Sequence, residues 1–261
     1  MSDTAMPDSH GPRIALITGG SRGLGRNAAL HLARAGIDSV LTYRSNKDEA
    51  EAAKAEIEAE GRKAAILQLD TGDVSAFPGF VAALKRVLGD TWGRDTLDIL
   101  VNNAGHGLHK PFAETTEAEF DGLMNVHFKG VFFLTQGLLP VIADGGRIVN
   151  ISSGLARFSF PGASAYGSMK GAIETLTRYM AKELGPRRIA VNALAPGAIE
   201  TDFGGGRVRD DADVNKQVAS VTAMGRAGLP DDIGAAIAAL VSEGNVWMTG
   251  QRIEASGGMM L

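Results

Sequence analysis

The 261-residue chain contains no cysteine. Disulfides, thiolate metal sites and cysteine nucleophiles are excluded together. No uninterrupted apolar run approaches the ~18–20 residues that a bilayer-spanning helix needs. There is no excess of positive charge either. Lys and Arg number 26 against 30 Asp and Glu, a net charge of −4. That excludes the basic footprint of a nucleic-acid-binding or anionic-membrane-binding protein. Residues 1–12 have no apolar segment of the signal-peptide kind. They are polar and predict a disordered leader, and the chain as a whole predicts a cytoplasmic protein. What is abundant is glycine: 34 residues, nearly double the usual ~7% share. It has no period of three, so the chain is not collagen-like. With 44% hydrophobic and 21% charged residues, the composition is globular rather than disordered.

Short apolar runs alternate with longer helix-favouring segments. Runs at 14–17, 40–43, 64–69, 97–101, 147–151, 189–194 and 252–254 read as strands. Helices are expected over 23–35, 48–60, 75–88, 117–139, 165–184 and 231–242. This alternation predicts a parallel sheet covered on both faces. Right-handed crossovers then give a doubly wound, mostly parallel α/β fold of three layers, α/β/α. No linker or repeat divides residues 13–261, so a single domain is expected. The segment 197–225, with Gly204, Gly205 and Gly206, reads as a long irregular loop, and Asp210-Asp211 within it as a solvated charge pair. In such a fold, ligands sit at the carboxyl ends of the strands.

The first strand is followed by Thr18-Gly-Gly-Ser-Arg-Gly-Leu-Gly25. Gly19, Ser21, Arg22, Gly23, Leu24 and Gly25 are thus placed to receive a pyrophosphate at a helix N-terminus. No Lys-Ser/Thr pair follows, which argues against a nucleoside triphosphate. A site for NAD would place an acid at the end of the second strand to hold the ribose hydroxyls. That position reads Tyr43-Arg44-Ser45. Arg44, with Arg22 nearby, suits a 2′-phosphate instead. The cofactor expected is NADP(H).

Tyr166 and Lys170 are four residues apart in a helical segment and share a face. A neighbouring ammonium stabilises a phenolate and lowers the phenol from its ordinary pKa of about 10, towards the range useful in proton transfer. Asn102-Asn103-Ala104-Gly105, Ser153 and Pro196-Gly197 complete an ordered set with the glycine loop. From Arg13 to Met260 the chain resembles the short-chain dehydrogenase/reductase family, above all its carbonyl-reductase and 3-oxoacyl-carrier-protein-reductase-like members.

The resemblance implies a Rossmann fold and a set of roles. Tyr166 is the general acid in carbonyl reduction, or the base in alcohol oxidation. Lys170 holds the nicotinamide ribose hydroxyls. Ser153 holds the substrate oxygen, with Ser152 as the competing assignment. Asn125 holds a water that relays protons to Lys170. Asp70 and Thr71 meet the adenine, and Asn103, Ala104 and Gly105 the adenosine ribose. Pro196 and Gly197 form the strand-end turn against the cofactor, and the Ile199 backbone and Thr201 hydroxyl hold the carboxamide, which presents the pro-S hydride. The family pattern also implies a homotetramer through the long helices and the C-terminal segment, where Ala255-Ser256 replaces the common valine-aspartate.

Three further residues have two readings. His106, Phe158 and Phe160 either line a substrate wall or serve packing and surface roles. The five histidines, His10, His31, His106, His109 and His127, lack metal-ligand spacing, so no metal is expected. The activity expected is reversible, NADPH-dependent reduction of a small-molecule ketone or aldehyde. Acyl-thioester reduction is the alternative. Of its two basic carrier-protein positions, Arg187-Arg188 matches, whereas Pro140–Asp144 is not basic. A non-catalytic NADP(H)-binding sensor is a third reading, opposed by the retained Asn125, Ser153, Tyr166 and Lys170.

Overall fold

Seven parallel strands form one sheet in the computed structural model, which describes residues 11–261. The expected leader therefore lies outside the described residues, apart from its last two positions. The strands are β1 (Ile14–Ile17), β2 (Asp38–Tyr43), β3 (Ala64–Gln68), β4 (Leu97–Asn102), β5 (Ile142–Ile151), β6 (Ala190–Pro196) and β7 (Arg252–Ala255). Their order is β3-β2-β1-β4-β5-β6-β7, and every pairing is parallel. The helices are α1 (Gly23–Arg34), α2 (Lys47–Ala59), α3 (Phe77–Trp92), α4 (Glu117–Met124), α5 (Gly130–Leu138), α6 (Ser164–Leu184), α7 (Arg207–Asp210), α8 (Ala212–Ser220) and α9 (Pro230–Leu240).

Alternation along each strand builds the two cores. In β1, Ala15 and Ile17 face one side and Ile14 and Leu16 the other, as the two-residue period dictates. The first side is covered by Ala28 and Leu32 of α1, Ile57 of α2 and Ile237 of α9. The second is covered by Phe80 and Leu84 of α3, Leu134 of α5 and Ala181 of α6. Strand order reverses between β1 and β4, which opens a crevice at their carboxyl ends. A buried polar ladder ties the second layer to the sheet. Asn102 donates to Thr135 (3.1 Å) and to Asn150 (2.9 Å), and Asn150 donates to Thr177 (2.9 Å).

Two expectations are corrected. The 117–139 segment is not one α-helix: α4 and α5 are joined by a π-turn over Asn125–Lys129. There Gly130 N–H donates to Asn125 C=O, five residues back. Gly130 abuts the Thr71 carbonyl, and the extra residue in the turn accommodates the passage of the helix beside that strand end. The 197–225 segment is not simply irregular, since α7 and α8 occupy much of it. Asp211 caps α8 by accepting from Asp213 N–H (3.0 Å) and Val214 N–H (3.1 Å). Asp210 pairs with Arg209 at 2.7 Å, so the two acids have separate jobs.

Candidate active site

The glycine loop between β1 and α1 is folded tightly on itself. Gly19 and Gly23 have φ of +63° and +54°, the left-handed region. A methyl at Gly25 would stand 2.2 Å from the Gly19 carbonyl oxygen, so only glycine fits. Ser21 is buried within the turn. Arg22 occupies the N-cap of α1 without a side-chain hydrogen bond, so no capping side chain competes for the first amides of α1. Leu24 packs on the first core.

The β4 end is bolted to this loop. The Thr18 hydroxyl accepts from Asn103 N–H (2.9 Å) and Ala104 N–H (3.0 Å). Asn103 Nδ2 donates to the carbonyls of Thr18 (2.9 Å) and Gly19 (3.1 Å). Tyr43 ends β2 opposite Gln68. Arg44 and Ser45 follow it and are exposed. Neither Arg22 nor Arg44 enters an ion pair among the described residues. Asp70 turns its carboxylate onto Gly72 N–H (2.8 Å) and remains exposed, while Thr71 is buried. Beyond β6, a methyl at Gly197 would meet Ser256 Cβ at 2.9 Å. Pro196 ends the strand, Ile199 bridges Gly228, and buried Thr201 accepts from Phe203 N–H (3.2 Å). The residues expected around a dinucleotide thus line the carboxyl ends of β1, β2, β3, β4 and β6.

At the N-terminal end of α6, Tyr166 and Lys170 stand one turn apart, with Lys170 Nζ 5.4 Å from the phenol ring centroid. Lys170 is buried and donates to the Ile151 carbonyl (2.7 Å). Burial pushes its ammonium down to about 7. The Tyr166 phenol is pushed up instead, by burial, with the neighbouring Ser153 hydroxyl pulling it part of the way back. The lowering expected from Lys170 is therefore not what the protein alone produces. The lysine is desolvated, and its Nζ is engaged with a carbonyl.

The two serines separate clearly. Ser153 sits beside Tyr166 and accepts from Leu155 N–H (3.2 Å). Ser152 is buried and donates to Glu174 (2.6 Å), which also receives Arg252 (2.6 Å). The Asn125 side chain forms no hydrogen bond among the described residues. Its backbone carbonyl closes the π-turn. His127, two residues on, is buried with its ring 5.2 Å from that of Tyr166.

The outer wall is aromatic. Phe203 lies 5.7 Å from the Tyr166 ring, and its edge contacts Gly107. His106 lies partly covered beside His127, 5.4 Å between rings, and this partial burial together with the Arg44 charge lowers its pKa. Phe158 packs on Gly154 under the Arg157 guanidinium, whereas Phe160 is exposed. Sequence reading overlooked Phe203 and His127. A lone aromatic in a loop carries no periodic signal, and a histidine without ligand spacing reads as packing. No group of three or more His, Asp and Glu residues suited to a metal forms among the described residues.

Comparison with known proteins agrees with this geometry. Residues 19–260 match a family described as enoyl-(acyl carrier protein) reductase. The short-chain dehydrogenase/reductase FrzI of Cladobotryum sp is 36% identical over 259 residues, covering 97% of this chain and 98% of that protein. The hydroxynaphthalene reductase-like protein Arp2 of Metarhizium brunneum is 33% identical over 268 residues, covering 98% of each. The crystal structure of the angucycline C-6 ketoreductase LanV with bound NADP superposes with a TM-score of 0.90 at 36% identity, covering 95% of each chain. Sheet order, motif order and similarity along the whole length place this chain in the short-chain dehydrogenase/reductase family of oxidoreductases.

Proposed function

We propose that the protein is an NADPH-dependent ketoreductase, reversibly interconverting a ketone or aldehyde and its alcohol. The observation that carries this reading is the convergence of Tyr166, Ser153 and Lys170 beside a preformed phosphate cradle. The cofactor fits the residues present. The glycine loop and the uncapped α1 terminus suit a pyrophosphate, Arg22 and Arg44 suit a 2′-phosphate, and no acid stands at the β2 end, Tyr43-Arg44-Ser45, to repel it. Asp70 and Thr71 would meet the adenine, and Asn103, Ala104 and Gly105 the adenosine ribose. Ile199 and Thr201 would meet the carboxamide and set the pro-S face. When bound, NADPH supplies the hydride.

The chain's own residues position the substrate and move the proton. Ser153 holds the carbonyl oxygen. Tyr166, kept protonated by its raised pKa, donates its phenolic proton to that oxygen as negative charge develops there. Lys170 holds the ribose hydroxyls and lies along the route by which Tyr166 regains a proton. The aromatic surfaces of Tyr166, Phe203 and His106 suit a flat substrate. The ketoreductase and hydroxynaphthalene-reductase relatives support a ketone on a fused aromatic ring. Carrier-protein delivery is less well supported. Arg187 is engaged by Asp144 and by the carbonyls of Leu139 and Ile142, which leaves it little reach for an acidic partner.

The assembly we propose is a homotetramer, with α5 and α6 meeting a second copy. Phe132, Leu176, Tyr179 and Met180 line an apolar groove there. No helix among the described residues is long and apolar enough to cross a membrane, and the reading places the enzyme in the cytoplasm.

The test is loss of NADPH absorbance with a panel of aliphatic and fused-ring ketones, comparing wild type with Tyr166→Phe. The variant is expected to lose about 100- to 10,000-fold in kcat/KM while still binding NADPH. Wild-type protein that binds NADPH but reduces no carbonyl compound would overturn the reading.

A further inference from the structure

We propose that Arg252 is a positioning residue for Ser153: paired with Glu174, its guanidinium fixes the Ser152–Ser153 segment and so aligns the hydroxyl that receives the substrate oxygen. The inference rests on the ketoreductase reading and adds to it two residues from outside the Tyr166–Lys170 pair.

Three observations carry it. First, one ion pair grips two successive residues at the end of β5. Arg252 Nε donates to Glu174 Oε1 (2.6 Å), and the same oxygen accepts from the Ser152 hydroxyl (2.6 Å). Arg252 Nη2 donates to the Ser153 carbonyl (3.4 Å). Second, the pair is anchored at both ends. Glu174 lies on α6 four residues beyond Lys170, so the helix that carries Tyr166 also carries the anchor. Arg252 Nη1 donates to Glu254 (2.8 Å), two residues on in β7 and on the same face. Glu254 in turn receives Nε and Nη2 of Arg157, at 2.8 and 2.9 Å. Arg157 also donates to the carbonyls of Met259 (2.7 Å) and Met260 (3.1 Å), which fastens the end of the chain to the turn after Ser153. Third, the pair is sheltered, with side-chain exposures of 22% for Arg252 and 14% for Glu174.

Sheltering an ion pair is a poor route to stability. Desolvation offsets much of the attraction, and apolar side chains of similar volume often serve as well. Apolar replacements could neither accept from the buried Ser152 hydroxyl nor donate to the Ser153 carbonyl. The Ser153 hydroxyl lies beside the Tyr166 phenol and accepts from Leu155 N–H (3.2 Å), a contact within its own turn. Its direction therefore depends on where the backbone of residues 152–153 is held. The charges also persist. Burial opposes ionisation of Glu254, but Arg157, Arg252 and Ser256 hold its carboxyl at about 2, well below the working pH range. Arg252 itself transfers no proton and acts through Ser153.

The test uses full-length Arg252→Met, Arg252→Lys and Glu174→Gln, assayed with NADPH and the best ketone of the panel. NADPH-binding sites are counted by the fluorescence of bound NADPH, and kcat is expressed per site. A merely structural role lowers the number of sites and leaves the rate per site unchanged. Arg252→Met is expected to lower kcat per site about tenfold or more while KM for NADPH changes less than about threefold. Arg252→Lys, which keeps a cation against Glu174, is expected to recover it to within about fivefold of wild type. Wild-type kcat per site in Arg252→Met, or an Arg252→Lys protein no better than Arg252→Met, would overturn the proposal. Should Arg252→Met bind no NADPH, Glu174→Gln decides. It keeps the volume, removes the charge and is expected to lower kcat per site about threefold or more, so an unchanged rate there overturns the proposal too. A mutant cycle tests the route. In a Ser153→Ala background, followed by product accumulation, Arg252→Met is expected to add less than about a threefold loss, because the residue it acts through is gone. A further tenfold loss in that background would show action by another route and overturn the proposal. An inert wild type defeats the ketoreductase reading instead, so the two failures are distinguishable.

Discussion

The carbonyl oxygen of Thr71 faces Gly130 so closely that a methyl group there would stand 2.0 Å from it. This contact joins the segment after β3 to the first turn of α5 and fixes where the π-turn falls. Gly130 has ordinary helical φ and ψ, so alanine would suit the backbone but not the space. Gly130→Ala is expected to destabilise the fold by about 1–3 kcal/mol through overpacking. The shift of the urea midpoint measures it. Ketone reduction should fall as well, because the same turn aims His127 at Tyr166.

Arg44 is exposed and free of ion pairs among the described residues. Arg44→Ala is therefore expected to leave folding unchanged and to raise KM for NADPH about 10- to 100-fold, the loss of one charge-assisted contact. KM for NADH should change little, because its ribose carries no phosphate. Steady-state kinetics with both cofactors measure the two effects separately.

Burial sets Lys170 at about 7 in the folded protein, against 10.5 when unfolded. Between those values the unfolded chain holds a proton that the folded protein has released. Stability without cofactor should therefore rise as pH increases from 7 towards 10, by up to about 1.4 kcal/mol per pH unit from this one group. Below pH 7 both states are protonated and this slope disappears. Lys170→Met should flatten the rise, as denaturant melts at pH 7, 8 and 9 would show. The raised Tyr166 phenol has the opposite sign, but only above pH 10, where the unfolded tyrosine ionises.

Tyr179 is 66% exposed and Phe132 is 39% exposed along the α5–α6 groove. Light scattering of the wild type is expected to give the mass of a tetramer. Tyr179→Glu, which would bury charge in the contact between copies, should give a smaller species. A monomeric wild type would refute the assembly.

Much of the scaffold could be read directly from residues 14–17, 97–101 and 190–194. These strands are buried on both faces, so they appear as nearly continuous apolar runs, interrupted only by Asp98 and Asn192, rather than alternating ones. Tyr166 and Lys170 were legible for a related reason, because one turn of α6 brings four-residue neighbours together whatever surrounds them. Asn125 and His127 were not resolved in the same way. The π-turn inserts a residue into the helical count, and its cause is the Thr71 carbonyl, which no local spacing reports. Helices α7 and α8 were hidden by Gly204, Gly205 and Gly206, which read as a break. Those glycines do take φ of +64°, +78° and +75°, but the chain regains helix immediately afterwards.

The closure of the glycine loop has a consequence for the timing of an entropy cost. Asn103 grips the Thr18 and Gly19 carbonyls, and Gly25 sits against Gly19, so the loop from Thr18 to Gly25 has little freedom left to lose. Ordering a flexible residue costs about 1–2 kcal/mol. Here that cost falls when the chain folds, once, and not each time a dinucleotide arrives. Cofactor exchange then proceeds on a surface that needs no rearrangement between cycles.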